Sequence, residues 1–360
     1  MIKKSYLVRE LTPVQKAAFP VIDAHNHLWG DWQVDKVVHT MDETGVVSYC
    51  DLTSNVHIEF AGGGYIITPG NITDFFSNCT QRYPGRFYGF TMANFARPVS
   101  EPLFDDADIF VNECIKTLQE HIASGAKGLK ILKDLGLHYR DSSGQLINID
   151  DPRLDPIWEE AARLNIPVLM HQADPAGFFE PLVPENEHYE SLSKYPSWSF
   201  ADPKFPRKID LIHRRDNLVK RHRNTTFILP HVANYAENLQ YVSSLLDENP
   251  NIYIDFSARL DELGRQPYTT RELFIKHQDR IIFGTDMPAN IESSVDMYRC
   301  YFRFLETYDE AFYSPDYDGT FNRARWPICG IGLPSEVLEK IYYKNIIKII
   351  PSLKEYMDGV

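Results

Sequence analysis

Eight short apolar runs recur along this chain of 360 residues, most of them separated by segments with helical spacing. They are VIDAHNHLWG (21–30), VVSYCDL (46–52), RFYGFTM (86–92), AKGLKIL (126–132), IPVLMH (166–171), TFILPH (226–231), IYIDFSA (252–258) and IIFGTDM (281–287). Each has the length and the β-branched or aromatic content of a strand. Helices are expected near 33–44, 71–82, 106–123, 157–164, 208–222, 235–248 and 269–278, with two more near 292–307 and 335–350. Alternating β and α units argue for a parallel sheet, and eight of them argue for an α/β fold closed into a (β/α)8 TIM barrel. An open doubly wound sheet is the alternative, but no glycine-rich dinucleotide fingerprint follows the first run.

The polar residues favour the barrel. His25, His27, His171, His231 and Asp286 all fall at the C-terminal ends of runs. In a barrel those ends surround one mouth, where active sites lie. On a strand His25 and His27 share a face, about 6.6 Å apart along the chain, so both imidazoles can turn toward one ion. With His171 and Asp286 they make three nitrogens and one carboxylate, a set that suits zinc and that iron, manganese or nickel also accept. Lys130, inside the fourth run, is costly to bury unless paired or functional. Lys133, three residues on, should face away from it on a regular strand.

Several local patterns carry further expectations. The glycines of AGGGY (61–65) read as a flexible loop within 53–70, with no Gly-Lys-Ser/Thr to make a phosphate cradle. Ile109, Phe110, Cys114, Ile115 and Leu118 form one stripe of a helix packed on the sheet. Asp155 reads as an N-cap with Pro156 at the first helical position. Residues 172–205, rich in aromatics and proline, are too long for an ordinary βα loop. They read as an insertion after the fifth strand, either a satellite core or a cap over a substrate site. In the basic helix that follows, Arg214, Arg215, Lys220 and Arg221 read as a solvated face. Ser335 is expected to cap the last helix, which buries Leu338, Ile341, Tyr342, Ile346 and Ile349.

The whole chain, 1–360, is read as one barrel domain, with 1–19 an N-terminal extension packed against it. A formal charge of −13, from 50 acidic against 37 basic residues, argues against nucleic acid or an anionic membrane as partner. No run approaches a membrane span and no apolar stretch follows the early lysines, so a cytoplasmic location is expected. The five cysteines, without a Cys-x-x-Cys pair, read as free thiols. A small molecule is the expected partner, and a homo-oligomer is left open.

IDAHNH, GLKI, IPVLMH, LPH, FGTDMP and the closing LPSEVLEKIYYKN together resemble the amidohydrolase superfamily, in its amidohydrolase-related branch of metal-dependent hydrolases and nonoxidative decarboxylases. The resemblance implies a (β/α)8 barrel in which His25, His27, His171 and Asp286 ligate one divalent metal, most simply Zn2+. It implies that His231 binds a second metal or assists the reaction. Lys130 matches a lysine that relatives with two metals carboxylate as a bridge; in the single-metal branch it meets a substrate carboxylate instead, the reading favoured here. Asp286 would then act as general base, and Arg259 and Arg265 are candidates for an anionic group of the substrate. The implied activity is hydrolysis of a small amide, ester or lactone, with decarboxylation of an unsaturated or aromatic acid as the alternative. A barrel that binds a ligand without catalysis is a third reading.

Overall fold

A computed structural model describes residues 6, 8, 11–28, 33–61, 64–287, 294–315 and 326–357. Within them every apolar run forms a strand, shorter than the run itself: β1 (Val21–Asn26), β2 (Val46–Asp51), β5 (Phe87–Gly89), β6 (Leu129–Ile131), β7 (Val168–Met170), β8 (Phe227–Leu229), β9 (Ile252–Asp255) and β10 (Ile281–Ile282). All neighbours pair in parallel, in the orders β1-β2-β5 and β10-β9-β8-β7-β6. Two seams join the arcs. Thr91 N donates to Gly128 O at 3.0 Å and Lys130 N to Thr91 O at 2.8 Å, while Ala24 N donates to Phe283 O at 3.0 Å and Asp286 N to His25 O at 2.7 Å. These bonds close the ring expected of a (β/α)8 barrel.

The helices that cover it are α1 (Val34–Thr44), α2 (Ile72–Phe75, continued by a π-helical turn at Phe76–Thr80), α3 (Ala107–Ala123), α4 (Asp155–Arg163), α5 (Lys208–Arg221), α6 (Leu239–Glu248), α7 (Pro267–Lys276) and α8 (Ser294–Glu306). Their apolar faces and the outward strand residues form one continuous core. A second cluster, Ile22, Ala24, Cys50, Tyr88, Leu169, Ile228, Tyr253 and Ile282 among it, fills the barrel, with Ile346, Ile350 and Leu353 packed on the same group. All five cysteines are free. Among the described residues no helix is long and apolar enough to cross a membrane.

Several expectations are corrected. The supposed loop at 53–70 contains an antiparallel hairpin, β3 (Val56–Ala61) and β4 (Gly64–Pro69). Val56 and Ile67 are buried under it, so alternation outweighed the glycines; Gly62 and Gly63 themselves lie outside the described residues. On α3 the buried stripe is Phe110, Val111, Cys114 and Leu118, and Ile109 is exposed, because the helix is rotated toward Val111. Asp155 opens α4 after the cap at Leu154 and spends its carboxylate on Arg221 (2.7 Å) and His222 (3.0 Å). The final helix is capped by Pro334, with Ser335 its first residue, and Ile349 is only half-buried.

The aromatic insertion is built of short helical turns, Ala176–Phe179, Tyr189–Lys194 and Pro196–Trp198. Phe200 lies 5.2 Å from Phe179 and 5.1 Å from Phe205, and the group packs on Leu211 and Ile212 of α5. It is a satellite core. Trp29, Gly30, Pro288, residues 292–293 and much of 1–10 lie outside the described residues.

Candidate metal centre

Ile22 and Ala24 face the barrel interior, so strict alternation would turn His25 outward. A register shift between Asp23 and Asn26 re-phases the strand. Gly284 gives the ring room, since a Cβ there would stand 2.9 Å from His25 Cβ and 3.3 Å from Asp255 Cβ. His25 and His27 then meet at the mouth with ring centroids 5.6 Å apart, and His25 lies 5.0 Å from His231. His25 Nε2 is 3.8 Å and His27 Nε2 3.6 Å from Asp286 Oδ1, and His231 Nε2 is 4.0 Å from Asp286 Oδ2. Two donors on one tetrahedral ion with bonds of about 2.1 Å stand about 3.4 Å apart, so the spacing is close to that of a metal shell.

The far side of each ring sets which nitrogen faces inward. His25 Nδ1 donates to Asp255 Oδ2 (2.7 Å) and His231 Nδ1 to the Ser257 carbonyl (2.8 Å), groups that only accept. His27 Nδ1 meets Thr53 Oγ1 (3.2 Å), whose proton goes to Asp51 Oδ1 (3.1 Å). All three Nε2 atoms therefore present lone pairs to the mouth, the tautomer a metal requires. Burial holds the four histidines neutral: His25, His27 and His231 are pushed well below the usual imidazole range and His171 to about 4. The buried Nε2 atoms of His171 and His231 have no hydrogen-bond partner. For His231, whose Nδ1 carries the proton, this is an orphaned lone pair beside the Asp286 carboxylate, and with His25 it fits a divalent cation.

The backbone under these side chains is strained. His231, Val232, Ala233 and Asn234 have φ of 57°, 56°, 52° and 55°, one turn of left-handed helix without a glycine, and Asp286 has φ of 55°. Left-handed geometry costs L-residues roughly 1–2 kcal/mol each, and persists where surroundings over-determine it, commonly at functional sites. Around Asp286 they do: Met287 N donates to Asn26 Oδ1 (3.0 Å) and Thr285 Oγ1 to Asp23 Oδ2 (2.6 Å). Tyr298 also donates to Asp23 Oδ2 (2.7 Å), and burial still pushes that carboxyl up to about 6.

Not every expected residue arrives as expected. His171 packs its ring 4.5 Å from His231, but its Nε2 lies 3.4 Å from Asp174 Oδ1, without the alignment of a hydrogen bond. Lys130 is fully buried with Nζ 3.5 Å from His25 Nε2, and burial pushes its amine down to about 8 against the pull of Asp286 and Asp255. Lys133 does not face away. The strand ends at Ile131, the chain turns, and the Lys133 amine pairs with Asp174 and lies over the Phe200 ring. Arg259 is buried near His25 and His231, bonded to the Ala258 carbonyl at 2.6 Å, and its charge opposes protonation of both rings. Arg265 is spent elsewhere, on Glu187 (2.9 Å) and the Trp326 ring (3.7 Å). Arg215, read as solvated, is completely buried.

Asp255, Ser257, Thr53, Asp51 and Asp174 were not singled out in the sequence. A weak signal existed for one, because Asp255 is an acid inside the largely apolar run IYIDFSA, where burial is costly without a partner.

The family model described as Amidohydrolase matches residues 22–351. The chain belongs to the amidohydrolase family. Membership supports an enzyme, a hydrolase or a decarboxylase. No curated protein matches it in sequence. Among solved structures, an uncharacterized TIM-barrel protein from Bordetella bronchiseptica is similar at 13% identity and a TM-score of 0.55, over 94% of this chain and 99% of that one. 2,6-Dihydroxybenzoate decarboxylase from Rhizobium is similar at 15% identity and a TM-score of 0.55, over 93% and 99%. A dihydroxybenzoic acid decarboxylase from Polaromonas sp. JS666, solved with manganese and the inhibitor 2-nitroresorcinol, follows at 15% identity and 0.50, over 94% and 97%. At these identities the shared property is the barrel.

Proposed function

We propose that this family member is a metal-dependent hydrolase of a small carboxylate-bearing amide, ester or lactone. His25, His27, His171 and Asp286 would hold one divalent ion. Zinc suits their donors, and the manganese of the Polaromonas decarboxylase is the alternative that the same nitrogen and oxygen set accepts. When bound, such an ion polarises a carbonyl and lowers the pKa of water from 15.7 to about 7.

The residues of the chain supply the rest. Asp286, the most open of the cluster at 27% exposed, accepts the proton of the attacking water. His231 orients that water through Nε2. The buried amine of Lys130 and the guanidinium of Arg259 receive the substrate's carboxylate, which places its scissile group against Asp286. Arg265, already paired, has no part in the proposal.

The observation that carries the hydrolytic reading is the bond from His231 Nδ1 to the Ser257 carbonyl. It leaves Nε2 as a hydrogen-bond acceptor that can orient the water whose proton Asp286 takes, whereas in a decarboxylation His231 could not deliver the proton to carbon and Asp286 would have to do so alone. Decarboxylation is the second reading, the alternative that the sequence resemblance implied, and two similar structures are of decarboxylases. The insertion's aromatics support it weakly, because Phe179, Phe200 and Phe205 are occupied with one another. Metal-loaded protein should be incubated with panels of lactones, amides and aromatic carboxylic acids while carbon dioxide is monitored. Ring opening or amide cleavage supports hydrolysis; carbon dioxide release without either rejects it.

A further inference from the structure

The left-handed turn at 231–234 is fastened from three directions. Inside the barrel, His231 N donates to Asp255 Oδ1 (3.0 Å), the carboxylate that also orients His25. Sideways, Asn234 Oδ1 accepts the N–H of Gln172 (3.2 Å), the residue after His171. The third fastening comes from α5, outside the barrel. The Arg215 guanidinium directs Nη1 at the Ala233 carbonyl, while Nε and Nη2 both hold Asp216 Oδ1, at 2.9 and 2.6 Å. Tyr241 of α6 donates to the other Asp216 oxygen, so the planar fork is locked before it reaches the turn.

A fully buried guanidinium is not needed to pack a helix on a barrel, where an apolar side chain serves as well or better. A carbonyl in a left-handed turn is different, since it points out of register with every ladder and must find a donor. We propose that Arg215 is a positioning residue: through Ala233 it holds the strained turn that aims His231 Nε2 at the mouth. This extends the reading of His231 as the group that handles water, and rests on it only in its kinetic part.

The test uses protein labelled with 15N-histidine. The Nδ1–H signals of His231 and His25 are assigned from the His231→Gln and His25→Gln variants. In Arg215→Met the His231 signal should shift or broaden while that of His25 stays. With a substrate found by the panel, kcat should fall by up to about 100-fold with KM within about threefold, as misplacement of an ångström does. If Arg215→Met does not fold, Arg215→Gln, a shorter amide donor, is read by the same signal. A folded variant with an unmoved His231 signal overturns the proposal, and a lower melting temperature alone is then a packing effect. A moved signal with unchanged kcat upholds the positioning role and removes His231 from the chemistry.

Discussion

The Asp255 carboxylate stands 2.7 Å from His25 Nδ1, and its second oxygen holds the backbone N–H of His231 at 3.0 Å. One buried acid thus sets the tautomer of one ring and the backbone position of another. Asp255→Asn should fold and bind zinc about 10- to 100-fold more weakly, the usual cost of losing a carboxylate behind a ligating histidine. Competition with a chromogenic chelator measures it. Unchanged affinity would separate Asp255 from the metal.

Asp286→Asn should abolish turnover and leave the fold intact, since the backbone bonds that hold the position do not involve its carboxylate. Circular dichroism and the substrate assay check both halves. Retained activity would remove Asp286 from the mechanism.

Lys130 is expected to be a free amine. Protein equilibrated with 13C-bicarbonate should show no carbamate resonance. Lys130→Met should raise KM for a carboxylate substrate by 10-fold or more, the range of about 1.5–3 kcal/mol for a charged hydrogen bond. A carbamate signal with two ions per chain would mean a bridged dinuclear centre.

Acid should destabilise the metal-free protein. His25, His27, His171 and His231 are neutral in the fold, pushed down by burial, and titrate near 6.5 once unfolded. The unfolded chain therefore binds more protons below pH 6.5, and the stability present above that pH is lost as pH falls, by up to ~1.4 kcal/mol per pH unit for each ring. For His171 the loss continues down to about pH 4. Urea midpoints should fall between pH 6.5 and 5, with Asp23, whose carboxyl is pushed up to about 6, offsetting part of the loss. They should be level near pH 7, below the range in which the Lys130 amine at about 8 begins to contribute. A midpoint that does not move would mean that the rings are solvated.

How much of this was legible in the sequence differs from residue to residue. The barrel was, because eight runs repeated and His25, His27, His171, His231 and Asp286 fell at their ends. Asp255 was not, since an acid at a strand end looks like any loop acid until the ring behind which it stands is placed. Lys133 was misjudged because its direction depends on where β6 stops, which periodicity does not mark. Arg215 was misjudged because a basic helix is usually wet on its charged face, and the partners that hold this one guanidinium inside, Asp216 and the carbonyl of a left-handed turn, are visible only in three dimensions. Gly284 was visible in FGTDM, but its reason, the crowding of His25 against Asp255, is three-dimensional.

The central claim is that lone pairs of buried histidines and the Asp286 carboxylate meet as one divalent-metal centre. Elemental analysis of the purified protein, followed by calorimetric titration of the stripped protein with zinc and with manganese, tests it most directly. The expected result is about one ion per chain and a raised melting temperature on adding metal, both lost together in a His25→Ala, His27→Ala double variant. No stoichiometric metal as purified, no heat of binding and no thermal shift would contradict it.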